Sequence, residues 1–208
     1  MTINLLNRII FSLIVAPLVL FLIFLGNIYF LLLLFITFLC GLYEIKNLKK
    51  KNTQLVIFII LITFVYSCIN IQLYENGKLY LFFILILAWL SDIGGYIIGK
   101  TIGGKKIGII SKNKTYSGFI GSICFSQFTL IYLSYYKLYF FDLLFMNIII
   151  ISFFSALVII GDLFFSYIKR LNLIKDFSNL MIGHGGLFDR IDGLIFLTIF
   201  FNIFIMLL

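Results

Sequence analysis

Residues 143–162 read LLFMNIIIISFFSALVIIGD, nineteen uncharged residues ending at Gly161 and followed by Asp162. A helix needs about 20 such residues, at 1.5 Å each, to cross a hydrocarbon core roughly 30 Å thick. Six further runs of comparable character lie at about 9–26, 28–44, 55–72, 79–99, 118–136 and 190–208. The composition agrees. Hydrophobic residues make up 63% of the 208 and charged residues 12%, against about 45–50% and about 25% in a soluble domain. With 26 Phe and 12 Tyr and a mean hydropathy of +1.19, too little polar surface remains to coat a water-soluble globule. The same figures exclude a disordered chain, a collagen-like repeat and a disulfide scaffold. The expected fold is all-α: a polytopic integral membrane protein of about seven transmembrane helices with two functional cytoplasmic loops. It reads as one transmembrane domain over 1–208, with an N-terminal helical region at 1–78 and a second region at 79–208.

The net charge of +8 takes its meaning from where the charges fall. Arg8 precedes the first span; Lys46, Lys49, Lys50 and Lys51 follow the second. Lys100, Lys105, Lys106, Lys112 and Lys114 follow the fourth, and Lys169, Arg170, Lys175 and Arg190 lie between the sixth and seventh. Seven crossings put these fourteen residues on one side and leave Lys78 and Lys137 on the other. Such asymmetry predicts a cytoplasmic N-terminus and cytoplasmic loops after spans two, four and six. The charge is therefore a topology signal, and no nucleic-acid partner is expected. Gly26, Asn27 and Ile28 predict a tight turn between the first two helices. The first apolar run is too long for a signal peptide and lacks an A-x-A-like cleavage site, so it is expected to remain as a helix. Cys40, Cys68 and Cys124 lie inside apolar spans without metal-ligand spacing and read as small buried apolar side chains.

Ionisable residues inside or at the lip of a span are costly, about 2.5–3.5 kcal/mol for Asp, Lys or Arg at a helix centre. Asp92 lies several residues before the end of the fourth span, Asp162 where the sixth meets the cytoplasmic face, and Asp189 and Asp192 open the seventh, three apart and so on one helical face. All four share one level by topology. A lone Asp at a helix N-terminus is ordinarily a cap, but several converging acids repel unless a cation neutralises them. Oxygen-rich, Cys-free clusters beside phosphate chemistry suit Mg²⁺, which takes one or two carboxylates plus substrate phosphates. The complementary charge comes from two segments. Residues 99–118 carry five Lys and five Gly, a composition suited to phosphate, since glycines let backbone N–H groups approach and lysines neutralise. Residues 166–192 contain Lys169-Arg170, Lys175-Asp176 and Gly183-His184-Gly185-Gly186, the chain's single His standing directly before the paired acids.

The stretch from Ser166 to Asp192 resembles the signature of phosphatidate cytidylyltransferases, the membrane CDP-diacylglycerol synthases. Ser166, Lys169, Arg170, Lys175, Asp176, Ser178, His184, Gly185, Gly186, Asp189, Arg190 and Asp192 match it with every spacing intact. Upstream, Gly161-Asp162, Asp92 with Gly94, Tyr96 and Gly99, and Ser111, Lys114, Thr115 and Gly118 resemble further segments of that family. The resemblance covers about residues 80–208. Among the departures, Phe165 stands where the family usually has Glu, and Ser117 where it has an acidic or amide residue.

What the resemblance implies is transfer of a cytidylyl group from CTP to phosphatidate, giving CDP-diacylglycerol and pyrophosphate, in the region 79–208. On that reading Asp162, Asp189 and Asp192 hold the divalent cation, with Asp92 as an outer or additional ligand. The ion is expected to be Mg²⁺, with Mn²⁺ as the alternative and an additional monovalent cation compatible. Lys169, Arg170, Lys175 and Arg190 take phosphates. Lys105, Lys106 and Lys114 close over CTP, with Ser111, Thr115, Ser166, Asp176, Gly185 and Gly186 also contacting substrate. His184 serves as a phosphate donor or orienter. The expected home is the bacterial inner (plasma) membrane, in contact with membrane lipid, and the aromatic helices are compatible with a homodimer. An ion-coupled transporter would instead set its acids near the midplane of repeated halves. A CTP-dependent lipid-alcohol kinase would lack the complete His-Gly-Gly-x-x-Asp-Arg-x-Asp signature.

Overall fold

The computed structural model describes residues 3–107, 114–180 and 185–208, with side chains from Leu13 onward. It is an antiparallel helical bundle: α1 (Ile3–Leu25), α2 (Asn27–Lys46), α3 (Lys51–Leu73), α4 (Gly77–Thr101), α5 (Tyr116–Ser126), α6 (Thr129–Tyr136), α7 (Leu144–Leu171) and α8 (Phe188–Leu207). Among the described residues there is no strand, and one isolated antiparallel bridge joins Lys106 to Thr115. Among the described residues six spans are long and apolar enough to cross a membrane, α5 and α6 counting together, and Leu13–Leu25 adds a shorter apolar helix. The protein is therefore an all-α, multi-pass membrane protein. Large apolar side chains such as Phe21, Phe35 and Ile131 face outward, as a surface solvated by lipid requires. Cys68 is buried as expected, whereas Cys124 is exposed, because its face of α5 turns away from the bundle.

The turn at residues 26–28 forms as read. Gly26 has φ +69, and a side chain there would meet Lys78 Cε at 2.6 Å. The Lys78 ammonium donates to the carbonyls of Phe24 (3.0 Å) and Leu25 (3.3 Å) at the end of α1, where a helix leaves acceptors unsatisfied.

Two elements differ from the pattern of apolar runs. The fifth span is broken at Gln127 and Phe128, where backbone N–H groups bond three residues back (Phe128 N to Phe125 O, 3.0 Å). Hydroxyls take neighbouring carbonyls there, Ser126 Oγ that of Ile123 and Thr129 Oγ1 that of Ser126, which competes with the helical ladder. Gln127 Nε2 reaches across to Ser152 Oγ of α7 at 3.0 Å. Helix α7 in turn runs ten residues past Gly161, with 28 residues in all, so its length is about 42 Å at 1.5 Å per residue. It overshoots the hydrocarbon core, and Ser166, Lys169 and Arg170 ride on its last turns rather than in a loop.

The core is aromatic. Phe83, Phe154 and Phe201 are fully buried, and Phe201 packs on all of Phe83, Phe140 and Phe154 with ring centroids 5.3–5.8 Å apart. A second trio, Phe165, Phe177 and Phe188, closes the end of the bundle where α7 leads into α8. Phe165 is thus a core residue, wholly enclosed.

Candidate functional site

The site begins with a helix crossing. A Cβ on Gly161 of α7 would lie 2.7 Å from Asp192 O and 3.0 Å from Gly193 Cα, and one on Gly193 of α8 would lie 2.8 Å from Val158 O. Bare glycines at both positions let the two backbones touch, as small residues do in membrane helix pairs. The neighbours of those glycines are Asp162 and Asp192, so the crossing itself sets the two carboxyls side by side, within hydrogen-bonding reach of each other. Asp92 on α4 is near enough for its charge to act on both. Its helix is held by small-residue contact with α5, where a Cβ on Gly94 would meet Gly121 O at 2.4 Å. Ser122 Oγ donates to Ser91 O at 2.7 Å, and Ser91 and Ser155 hydroxyls lie 3.1 Å apart, tying α4 to both α5 and α7 one residue from Asp92.

A cavity of about 620 Å³ opens over this group. Helix α4 lines it with Asp92, Gly95, Tyr96, Gly99 and Lys100, α7 with Ile159 and Asp162, and the chain between α4 and α5 with Lys106, Lys114 and Thr115. The two described flanks of that chain pair with each other, Ile107 N donating to Lys114 O (2.8 Å) and Tyr116 N to Lys105 O (3.1 Å). Thr115 caps α5, accepting from Gly118 N at 3.1 Å, and Ser117 Oγ donates to Gly103 O. That pairing delivers Lys114 onto Asp162 as an ion pair, and Ser166 Oγ lies 3.4 Å from the other oxygen of Asp162.

Three carboxyls this near one another repel strongly unless positive charge is interposed. Among the described residues no three His, Cys, Asp or Glu side chains form a ready cage for a metal ion. What exists is a pair, Asp162 and Asp192, with Asp92 beside it and Lys114 as counter-charge. Such an incomplete oxygen donor set suits an ion that completes its shell from water and substrate phosphates.

Asp189 stands apart from that pair. The expectation grouped it with Asp192 by the three-residue spacing, but its carboxylate is bound elsewhere: Lys169 Nζ lies 2.6 Å from Oδ1, and the Phe177 and Gly186 amides donate to Oδ2 at 3.0 and 2.9 Å. Asp189 sits in the first turn of α8 and faces back onto the preceding chain, satisfying N–H groups that a helix start leaves open. The Lys169 ammonium, expected on phosphate, also lies 5.7 Å from the Phe177 ring. Gly185 sits in the same turn at φ +83, close to both Asp189 and Asp176. Lys105, Arg170, Lys175, Asp176 and Arg190 are exposed. Ser111 and His184 lie outside the described residues.

Arg190 instead lines a second, apolar cavity of about 370 Å³ between α1, α2, α3, α4 and α8. On α4 its lining residues Leu81, Leu85 and Trp89 continue at helical spacing into Asp92, Tyr96 and Gly99 of the polar cavity. One helix face therefore runs from apolar to charged.

Among the buried polar residues that escaped the reading of the sequence, two tie helices of the bundle together near the site. Asn172, 1% exposed, accepts from the Lys49 and Lys50 amides, both at 3.0 Å, and donates to Ile168 O and Thr53 Oγ1. It binds the α2–α3 turn to the end of α7. Glu44, 0% exposed on α2, accepts from Ser178 Oγ (2.7 Å), Leu187 N and Phe188 N (2.9 Å). Its one sequence signal was an acid at the end of an apolar run, the ordinary sign of a helix surfacing into solvent.

The chain matches the sequence model of the cytidylyltransferase family over residues 52–208. It is 37% identical over 136 residues to a phosphatidate cytidylyltransferase of Staphylococcus haemolyticus, covering 62% of this chain and 50% of that protein. Proteins of the same name from Staphylococcus epidermidis and Staphylococcus aureus are each 36% identical, over 132 and 137 residues, with the same shares of 62% and 50%. The chain spans about half the length of the curated relatives it matches.

Proposed function

The chain belongs to the cytidylyltransferase family, and from that premise we propose that it transfers the cytidylyl group of CTP to phosphatidate, forming CDP-diacylglycerol and pyrophosphate. The observation that carries this reading is the face of α4 shared by a charged cavity and an apolar groove. A nucleotide triphosphate and a lipid phosphate must meet at such a boundary, one arriving through water and the other sideways through the bilayer. The groove extends along α8 from Leu187 to Thr198, about 16 Å at 1.5 Å per residue, and Arg190 offers its lipid phosphate a cation.

A phosphatidate oxygen forms a bond to the α-phosphorus of CTP; the bond from that phosphorus to the β-phosphate oxygen breaks, and pyrophosphate leaves with the electron pair. The attacking oxygen is already ionised at neutral pH, so no general base is needed. Catalysis rests on positioning and on neutralising charge. Mg²⁺ held by Asp162 and Asp192, with Asp92 adjoining, would supply charge neutralisation at the phosphate oxygens when bound. Lys114 exchanges its carboxylate partner for the incoming triphosphate, and Lys106 and Thr115 flank the same opening. Lys169 and Asp189 keep the turn at Gly185–Gly186 in place. His184, next to that turn in sequence, and Ser111 are assigned to substrate phosphate. The basic clusters support a cytosolic site on the inner face of the plasma membrane.

Purified protein given phosphatidate, Mg²⁺ and CTP labelled in the cytosine ring should pass label to the lipid phase. With CTP labelled at the γ-phosphate the lipid should stay unlabelled. The opposite pattern would mark a lipid kinase and overturn the reading.

A further inference from the structure

Residues 1–51 fall outside the stretch that matches the family model, yet α2 reaches into the segment that carries the signature. Glu44 is a fully enclosed carboxylate whose two oxygens accept from three donors on the chain leading into α8. Oε1 takes the Ser178 hydroxyl and the Leu187 amide, and Oε2 takes the Phe188 amide. Helix α8 has no cap from its own N-cap residue, Leu187. Its opening N–H groups are capped from a helix more than 140 residues away in sequence. A carboxylate at a helix N-terminus gains from both the open donors and the dipole. Burial makes the interaction obligatory, since an enclosed carboxylate without its donors is strongly disfavoured.

The fit extends to the neighbouring chain. A Cβ on Gly186 would lie 2.6 Å from Glu44 Oε1, so Glu44 occupies the space that a side chain at the second glycine of the His-Gly-Gly sequence would need. Asp189 grips the same turn from the opposite side through Gly186 N and Phe177 N. The chain entering α8 is hung between two carboxylates, one local and one supplied by α2. Asp192 follows Phe188 by little more than one helical turn. Whatever fixes the start of α8 also fixes how Asp192 meets Asp162.

We infer that Glu44 is a positioning residue: it sets the entry of α8, and with it the turn at Gly185–Leu187 and the carboxyl of Asp192, without touching substrate. The inference rests on the cytidylyltransfer reading for its kinetic consequence but not for its structural one. Two readouts separate them. Glu44→Gln keeps the shape but puts an NH₂ where one oxygen accepted, so Leu187 or Phe188 loses its acceptor. Hydrogen exchange over residues 185–190 is expected to quicken by at least about tenfold, while exchange in α4 and α7 stays unchanged. With phosphatidate and CTP, kcat is expected to fall about 100-fold, the cost of roughly 1 Å of misplacement. KM for CTP should stay within about threefold, and the Mg²⁺ concentration for half-maximal rate should rise.

Glu44→Asp keeps the charge on a shorter stem and is expected to recover at least tenfold of the lost kcat. It also carries the test if Glu44→Gln does not fold. In that case faster exchange confined to residues 185–190 in the Asp variant supports the inference. Wild-type exchange there and wild-type kcat in Glu44→Gln, or in Glu44→Asp where it alone folds, would overturn it. So would loss of thermal stability with unchanged kcat and Mg²⁺ dependence per folded molecule, the signature of a purely structural residue. Were the wild type inactive on CTP and phosphatidate, the exchange arm would still decide the role of Glu44, and the functional reading alone would fail.

Discussion

Gly161→Ala tests whether the crossing of α7 and α8 builds the site. The added Cβ would meet Asp192 O at 2.7 Å, Gly193 Cα at 3.0 Å and Phe196 Cβ at 3.1 Å. Two of those atoms are backbone, so no side chain can swing away. Ordinary contact begins near 3.4 Å, so α8 must retreat by about 0.7 Å. Overpacking of this kind costs about 1–3 kcal/mol, and alanine returns up to about 1 kcal/mol of helix propensity over glycine. Net destabilisation should therefore stay between about 0 and 3 kcal/mol, and the protein should still fold in detergent with its melting midpoint lowered by a few degrees. The site has no such offset. A 0.7 Å opening falls directly between Asp162 and Asp192, and misplacements near 1 Å cost about 100-fold in rate. We expect kcat to drop between about 10- and 100-fold, measured as CDP-diacylglycerol formed per folded molecule. A Gly161→Ala enzyme within twofold of wild-type kcat would refute the reasoning, because the glycine contact would then not set the carboxyl geometry.

Asp192→Asn should lower turnover at least about 1000-fold with an unchanged melting midpoint, and the parallel loss in Asp162→Asn should not add to it, since the pair acts as a unit; the double variant tests this. Asn172→Ala removes the acceptor of the Lys49 and Lys50 amides and should cost about 1–3 kcal/mol at roughly 0.5–1.5 kcal/mol per lost hydrogen bond, read as a drop in the midpoint with per-molecule kcat nearly intact. Treatment with EDTA should abolish label transfer, and Mg²⁺ should restore it; transfer unaffected by chelation would remove the ion from the account. Phe165→Glu would bury a charge against Phe177 and Phe188 and should prevent folding, seen as loss of the monodisperse peak on size exclusion.

The membrane fold was plain in the sequence because run length and charge asymmetry are the two quantities a bilayer reads directly. The convergence of Asp92, Asp162 and Asp192 was legible for the same reason, since topology alone put them at one level. What stayed hidden depended on tertiary contact. Span five looked continuous because its average hydropathy is, and only the hydroxyls at Ser126 and Thr129 with Gln127 between them break it. Helix α7 looked finished at Gly161 because membrane thickness was the ruler, while Ser166–Arg170 simply continue the helix beyond it. Asp189 and Asp192 share a spacing but not their partners, since a first-turn residue can turn back to the chain before it. Glu44 carried no local mark of burial. Its meaning lies in donors more than 130 residues away.

The most direct measurement follows the oxygens. Phosphatidate carrying ¹⁸O in its phosphate is incubated with unlabelled CTP and Mg²⁺, and lipid and pyrophosphate are weighed by mass spectrometry. Attack by phosphatidate on the α-phosphorus predicts CDP-diacylglycerol retaining all of the heavy oxygens and pyrophosphate containing none. Heavy oxygen in the pyrophosphate, or no CDP-diacylglycerol from protein shown to be folded, would contradict the account.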